Sequence, residues 1–129
     1  MFKGIDHIVI AVSSLEQAVK DYEERLGVKP TGEVGKARPE LGLRNAYFYL
    51  GDSGRFIELA EPLGPETPLG RTLQRRGEGI HLVALAVDDV AGATAQLKAR
   101  GVQVIEAGRQ VFIHPKETHG VLYQLVERR

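Results

Sequence analysis

GIDHIVIAVSSLEQAVKDYEER, Gly4 to Arg25, is the stretch whose reading decides the fold, because the chain carries it twice. Laid without a gap over GIHLVALAVDDVAGATAQLKAR, Gly79 to Arg100, it pairs Gly4 with Gly79, Ile5 with Ile80, Ala11 with Ala86, Val12 with Val87, Ala18 with Ala93 and Arg25 with Arg100. Self-similarity of this kind marks one supersecondary unit used twice. Each copy opens on an apolar run, passes a Ser-Ser or Asp-Asp turn, and continues with apolar residues at helical spacing up to a glycine. That pattern predicts a buried strand, a helix and a stop. One pair departs from it, since His7 falls on Leu82.

Outward from the first copy, Lys29 to Gly42 mixes Gly, Pro and charges without a period and reads mostly as loop, with a weak strand near Thr31 to Val34. Asn45 to Leu50 and Arg55 to Ala60 flank the turn Gly51-Asp52-Ser53-Gly54 and read as a hairpin. Thr67 before Pro68, with Leu69 and Leu73 on one face, predicts a short linking helix ended by Gly77. After the second copy, Val102 to Ile105, Val111 to Ile113 and Val121 to Val126 supply further strands, the last two separated by a loop at His114 to Gly120. The expected fold is α+β in a single domain over 1–129, with pseudo-repeats at about 3–62 and 78–127 and the helices on one side of the sheet.

A length of 129 residues with 43% hydrophobic composition suits one ordinary core. Lys plus Arg and Asp plus Glu are both 17, so no net field draws the chain to nucleic acid or a lipid surface. The absence of cysteine removes disulfides, thiolate nucleophiles and cysteine metal sites, leaving His, Asp, Glu or Gln to hold any metal. With no signal-like N-terminus and no long apolar run, a soluble cytoplasmic protein is the simplest expectation.

Strand parity nominates the site. His7 shares a strand face with Ile5, Val9 and Ala11, whereas Ile8, Ile10 and Val12 make the better helix-packing face. Glu58 lies between Ile57 and Leu59, and Gln124 between Tyr123 and Leu125, so both point away from the helices if their neighbours pack under them. His7, Glu58 and Gln124 are therefore expected on one open face, where a carboxylate among small apolar residues calls for a ligand, a metal or ordered water. His81 takes the parity of Asp6 and is expected to be structural.

At this point the residues resemble the vicinal oxygen chelate superfamily, the glyoxalase and bleomycin-resistance fold, and within it the methylmalonyl-CoA epimerases. The matching pieces are IDHI from Ile5, PELG from Pro39, LGD from Leu50, IELAEP from Ile57, RRGEGIH from Arg75, VDDV from Val87, HPK from His114 and GVLYQLVE from Gly120. The resemblance implies two βαβββ modules in an open, cup-shaped mixed sheet with the helices outside. It also implies a divalent ion (Co, Ni, Mn or Zn) held at His7, Glu58, a third position and Gln124. The third position is Leu82 here, which offers no donor, and Gln124 stands where the family has Glu. A carboxylate can move a proton alpha to a thioester carbonyl and a carboxamide cannot. The two places where the family carries such bases are Gln124 and Asn45.

The leading expectation is an epimerase-like domain with a partly lost metal and base site, binding a small carbonyl, carboxylate or acyl-CoA ligand through Glu58 and Gln124. Lys116 is the candidate contact to a CoA phosphate. The alternatives are a working metal-dependent epimerase or glyoxalase-type lyase, and a metal-free sequestering protein of the resistance type. Open sheet edges give a reason to expect a homodimer. Nucleic acid and membrane partners are not expected.

Overall fold

A computed structural model describes residues 1–128. Among them are strands β1 (Phe2–Ala11), β2 (Thr31–Arg38), β3 (Leu43–Tyr49), β4 (Phe56–Pro62), β5 (Gly79–Val87), β6 (Val104–Ala107), β7 (Gln110–Ile113) and β8 (Tyr123–Glu127). The helices are α1 (Leu15–Leu26), α2 (Pro68–Arg76) and α3 (Val90–Ala99), with a 3-10 turn at Pro115–Glu117. The strands hydrogen-bond in the order β2-β3-β4-β1-β5-β8-β7-β6 as one mixed sheet, an α+β fold. Packing divides the chain into two compact units, Ile8–His81 and Met1–His7 with the segment from Leu82 on, so that β1 and β5 each run through the division.

In the unit Ile8–His81, α1 begins at Ser14, whose hydroxyl accepts from the Gln17 amide, while Glu61 Oε1 accepts the Leu15 amide at 2.9 Å. Val12, Leu15, Val19, Ala46, Phe48 and Leu59 form its buried core, with Ile10 and Ile57 packed against them. The helix-packing parity expected for β1 and β4 is therefore the one observed. α2 starts on the Thr67 cap and Pro68 and ends at Gly77, as its residues predict.

The other unit repeats these devices. Asp89 caps α3 by accepting from Gly92, and Glu127 Oε1 accepts the Val90 amide at 3.2 Å, as Glu61 does for Leu15. Its core is Val87, Ala93, Leu97, Val111, Ile113 and Leu125. β5 and β8 are parallel, β7 is antiparallel to β8, and β6 is antiparallel to β7.

One segment departs from expectation. Lys29 to Gly42 is not mostly loop, since Thr31–Arg38 is a full strand paired antiparallel to β3, with a register shift between Thr31 and Lys36. Its glycines hid it: Gly32 and Gly35 adopt φ of 74° and 82°, which break the alternation of a regular strand. The strand is held at its irregularity by Arg44, whose Nε donates to the Gly35 carbonyl at 3.4 Å while the guanidinium pairs with Glu16 and Glu61. The hydrogen bond to Glu16 is the largest cause that raises the Arg44 pKa, and the same bond to Arg44 is the largest that lowers the Glu16 pKa.

Candidate functional site

Because Ala46 and Phe48 on β3 and Leu59 on β4 pack under α1, the residues between them face the other way. Those residues are Asn45, Tyr47 and Glu58. Tyr47 and Glu58 are cross-strand partners, and Asn45 pairs with Ala60 one step along the same face. Glu58 is 8% exposed and Asn45 1% exposed. The Asn45 carboxamide joins the three, its Nδ2 donating to Glu58 Oε2 at 3.0 Å and to the Tyr47 hydroxyl at 3.0 Å. Asn45 Oδ1 is buried with no hydrogen-bond partner. The Tyr47 ring is held edge-on to Phe56 with centroids 5.4 Å apart.

In the other unit His7 donates from Nδ1 to Asp6 Oδ2 at 2.7 Å, and Asp6 Oδ1 accepts from Arg128 at 3.0 Å. A carboxylate on Nδ1 fixes the ring orientation. Asp6 is itself buried, at 8% exposure. Gln124 lies opposite Ala84 on β5 and Phe112 on β7, and its neighbours Tyr123 and Leu125 pack with α3. Gln124 thus faces away from the helix, over a β5 surface made of Leu82, Ala84 and Ala86, all buried.

That apolar surface decides whether the chain fits a divalent ion. Leu82 is 7% exposed and offers no donor where the family resemblance requires one, and Gln124 brings no charge. Among the described residues no three His, Cys, Asp or Glu side chains gather in a way that could hold a metal ion. With Leu82 and Gln124 in these places, the residues present do not fit the donor set that the resemblance implies.

The remaining candidates fall outside these clusters. His81, expected to be structural, is half-buried on β5. Its Nδ1 is buried without a partner, and burial, then Arg76 and Arg75, push its pKa down to about 4. Lys116 sits exposed on the 3-10 turn, where its backbone amide donates to His114 Nδ1. A groove of about 650 Å³ runs along α1 past Ile10, Val12 and Tyr22. It lies on the helix side of the strands, away from Glu58, and its one β5-side carboxylate, Glu78, is bound to the Ser13 amide at 2.8 Å. Strand parity could have found Tyr47, two residues from Asn45. It could not have found Asp6, which bonds its chain neighbour His7 although the two alternate in facing, or Arg128 from the far end of the chain.

A mixed α+β sheet built from a repeated strand and helix, with polar side chains on the face away from the helices, defines a glyoxalase-like class. Residues 5–126 match the model of the glyoxalase-like domain, and the chain belongs to this family of the vicinal oxygen chelate superfamily. It is 31% identical over 137 residues to the ethylmalonyl-CoA/methylmalonyl-CoA epimerase of Cereibacter sphaeroides, covering 97% of this chain and 98% of that protein. Among solved structures it is similar to a methylmalonyl-CoA epimerase in complex with methylmalonyl-CoA and NH4+, with TM-score 0.88, 31% identity and coverage of 98% and 95% of the two chains. A variant of the Streptomyces coelicolor methylmalonyl-CoA epimerase in complex with 2-nitronate-propionyl-CoA gives TM-score 0.88 at 30% identity, again covering 98% and 95%.

Proposed function

We propose that this chain binds an acyl-CoA thioester at the face carrying Glu58 and does not run a two-base epimerisation. The observation that carries the reading is the Asn45 contact. A carboxamide stands at one expected base position and spends its amide hydrogens on Glu58 and Tyr47. Gln124, at the other base position, cannot accept and return a proton either. Glu58 is then the carboxylate that meets the acyl group, and a single base can remove and return a proton on one side of the alpha carbon only. Acyl-CoA binding is supported by the solved relatives, whose ligands are methylmalonyl-CoA and 2-nitronate-propionyl-CoA. Lys116, exposed on its turn, is the proposed phosphate contact.

Calorimetric titration with propionyl-CoA, with CoA alone as reference, tests the binding. Saturable heat with propionyl-CoA that drops at least about tenfold in affinity in Glu58→Ala supports it, and no heat above that of CoA alone overturns it.

A second reading has one observation in its favour. Asp6 orients the His7 ring through Nδ1. In that reading His7 supplies the second proton transfer and the chain is a working isomerase. Self-association is proposed at the sheet edges, because β2 and β6 each pair on one side and carry exposed Val34 and Ile105. No helix is long and apolar enough to cross a membrane among the described residues.

A further inference from the structure

The Tyr47 hydroxyl accepts from Asn45 Nδ2 at 3.0 Å, and among the described residues it makes no second hydrogen bond. A phenol that accepts still has its own O–H to donate. The direction of the Asn45 bond is fixed from the other side, because the same Nδ2 donates to Glu58 Oε2 at 3.0 Å and an ionised carboxylate only accepts. Turning the amide over would set oxygen against oxygen there. Asn45 therefore holds the Tyr47 hydroxyl as an acceptor, with its hydrogen turned away from the amide. Asn45 and Glu58 are buried, whereas Tyr47 is half-buried and keeps surface on the face away from the helices.

We propose that Tyr47 donates this hydrogen to the thioester carbonyl oxygen of the acyl-CoA and so sets the acyl group against Glu58. The inference rests on the acyl-CoA reading above and deepens it by naming the group that holds the carbonyl. The Tyr47 ring packs edge-on to Phe56 with centroids 5.4 Å apart, which fixes where the donor stands. Tyr47 and Glu58 are cross-strand partners, and their oxygens both lie 3.0 Å from one nitrogen, so no more than twice that distance separates them. A thioester oxygen and its alpha carbon are two bonds apart, which lets one ligand meet Tyr47 with the first and Glu58 with the second. A donor at that oxygen also stabilises the charge that develops there when an alpha proton leaves. A thioether offers only a weakly accepting sulfur in its place.

The test is calorimetric titration of the full chain with propionyl-CoA, with S-propyl-CoA, the thioether that lacks the carbonyl oxygen, and with CoA alone. The thioester should bind roughly three- to tenfold more tightly than the thioether. In Tyr47→Phe, which keeps the ring and removes the hydrogen, that ratio should fall to about one. If this variant does not fold by circular dichroism, Tyr47→Met answers in its place with the same expected ratio. Infrared difference spectra of propionyl-CoA labelled at its carbonyl carbon give a second readout, which a merely structural role for Tyr47 leaves unmoved. The carbonyl stretch should lie lower on the wild type than on the variant. Equal binding of thioester and thioether by the wild type, both tighter than CoA, overturns this inference and leaves the acyl-CoA reading standing. A preference that survives in the variant, or a carbonyl stretch the variant does not change, also overturns this inference alone, because another group then holds the oxygen. No binding beyond that of CoA alone overturns both.

Discussion

Replacing His81 by Phe should flatten the acid side of the stability profile. In the folded chain its pKa is pushed down to about 4 from 6.5 by burial, with Arg76 and then Arg75 adding repulsion, and its Nδ1 has no partner. The folded pKa is the lower one, so between these values the unfolded chain binds the extra proton and stability rises with pH. The neutral ring contributes fully above the ordinary value, and that contribution is lost as the pH falls toward 4. One proton is worth about 1.4 kcal/mol per pH unit, so the gap sets a ceiling of roughly 3 kcal/mol. His81 keeps part of its surface in water, which brings the expected loss to roughly 1–2 kcal/mol. Urea unfolding at pH 7, 6, 5 and 4.5 should show the wild type losing that amount more than His81→Phe, with the same m-value. Other titrating groups act on both proteins, so their effects cancel in the difference. Parallel profiles for the two would refute the burial argument.

Two further outcomes test the packing. Phe48→Ala empties a fully buried position between β3 and α1 and should cost about 3–5 kcal/mol in urea unfolding. Gly70→Ala sets a Cβ 2.2 Å from the Gly64 carbonyl oxygen and 2.9 Å from the Pro65 Cα, backbone that cannot step aside, so this exchange should cost about 2 kcal/mol although alanine favours helices.

The repeated stretch carried most of the fold. Strand, turn cap and helix in each copy are local patterns, so β1, α1, β5 and α3 could be read from periodicity. The strand β2 could be read only in part, as a weak strand at Thr31 to Val34, because Gly32 and Gly35 erase its alternation and its partner Leu43–Tyr49 is what extends it to Arg38. The capping of α1 by Glu61 and of α3 by Glu127 was also hidden, since each joins a helix start to a strand far along the chain. For the site, parity put Glu58 and Gln124 on faces away from the helices, where they are found. What parity cannot supply is partnership. The bonds from Asn45 to Glu58 and Tyr47, and from Asp6 to His7 and Arg128, depend on side-chain reach and not on facing.

The same register that shows the duplication sets Leu82 opposite His7, so one alignment supports the fold and argues against the epimerase donor set. Burial of Leu82 beside Ala84 and Ala86 gives that argument a physical form.

The most direct measurement is the epimer composition of methylmalonyl-CoA supplied as a single C2 epimer and incubated with the protein, with and without added Co, Ni, Mn or Zn. With Asn45 and Gln124 at the expected base positions, the composition should stay at the protein-free rate in every sample. Epimerisation toward an equilibrium mixture, faster than the protein-free control and lost in His7→Ala or Glu58→Gln, would contradict the single-base account.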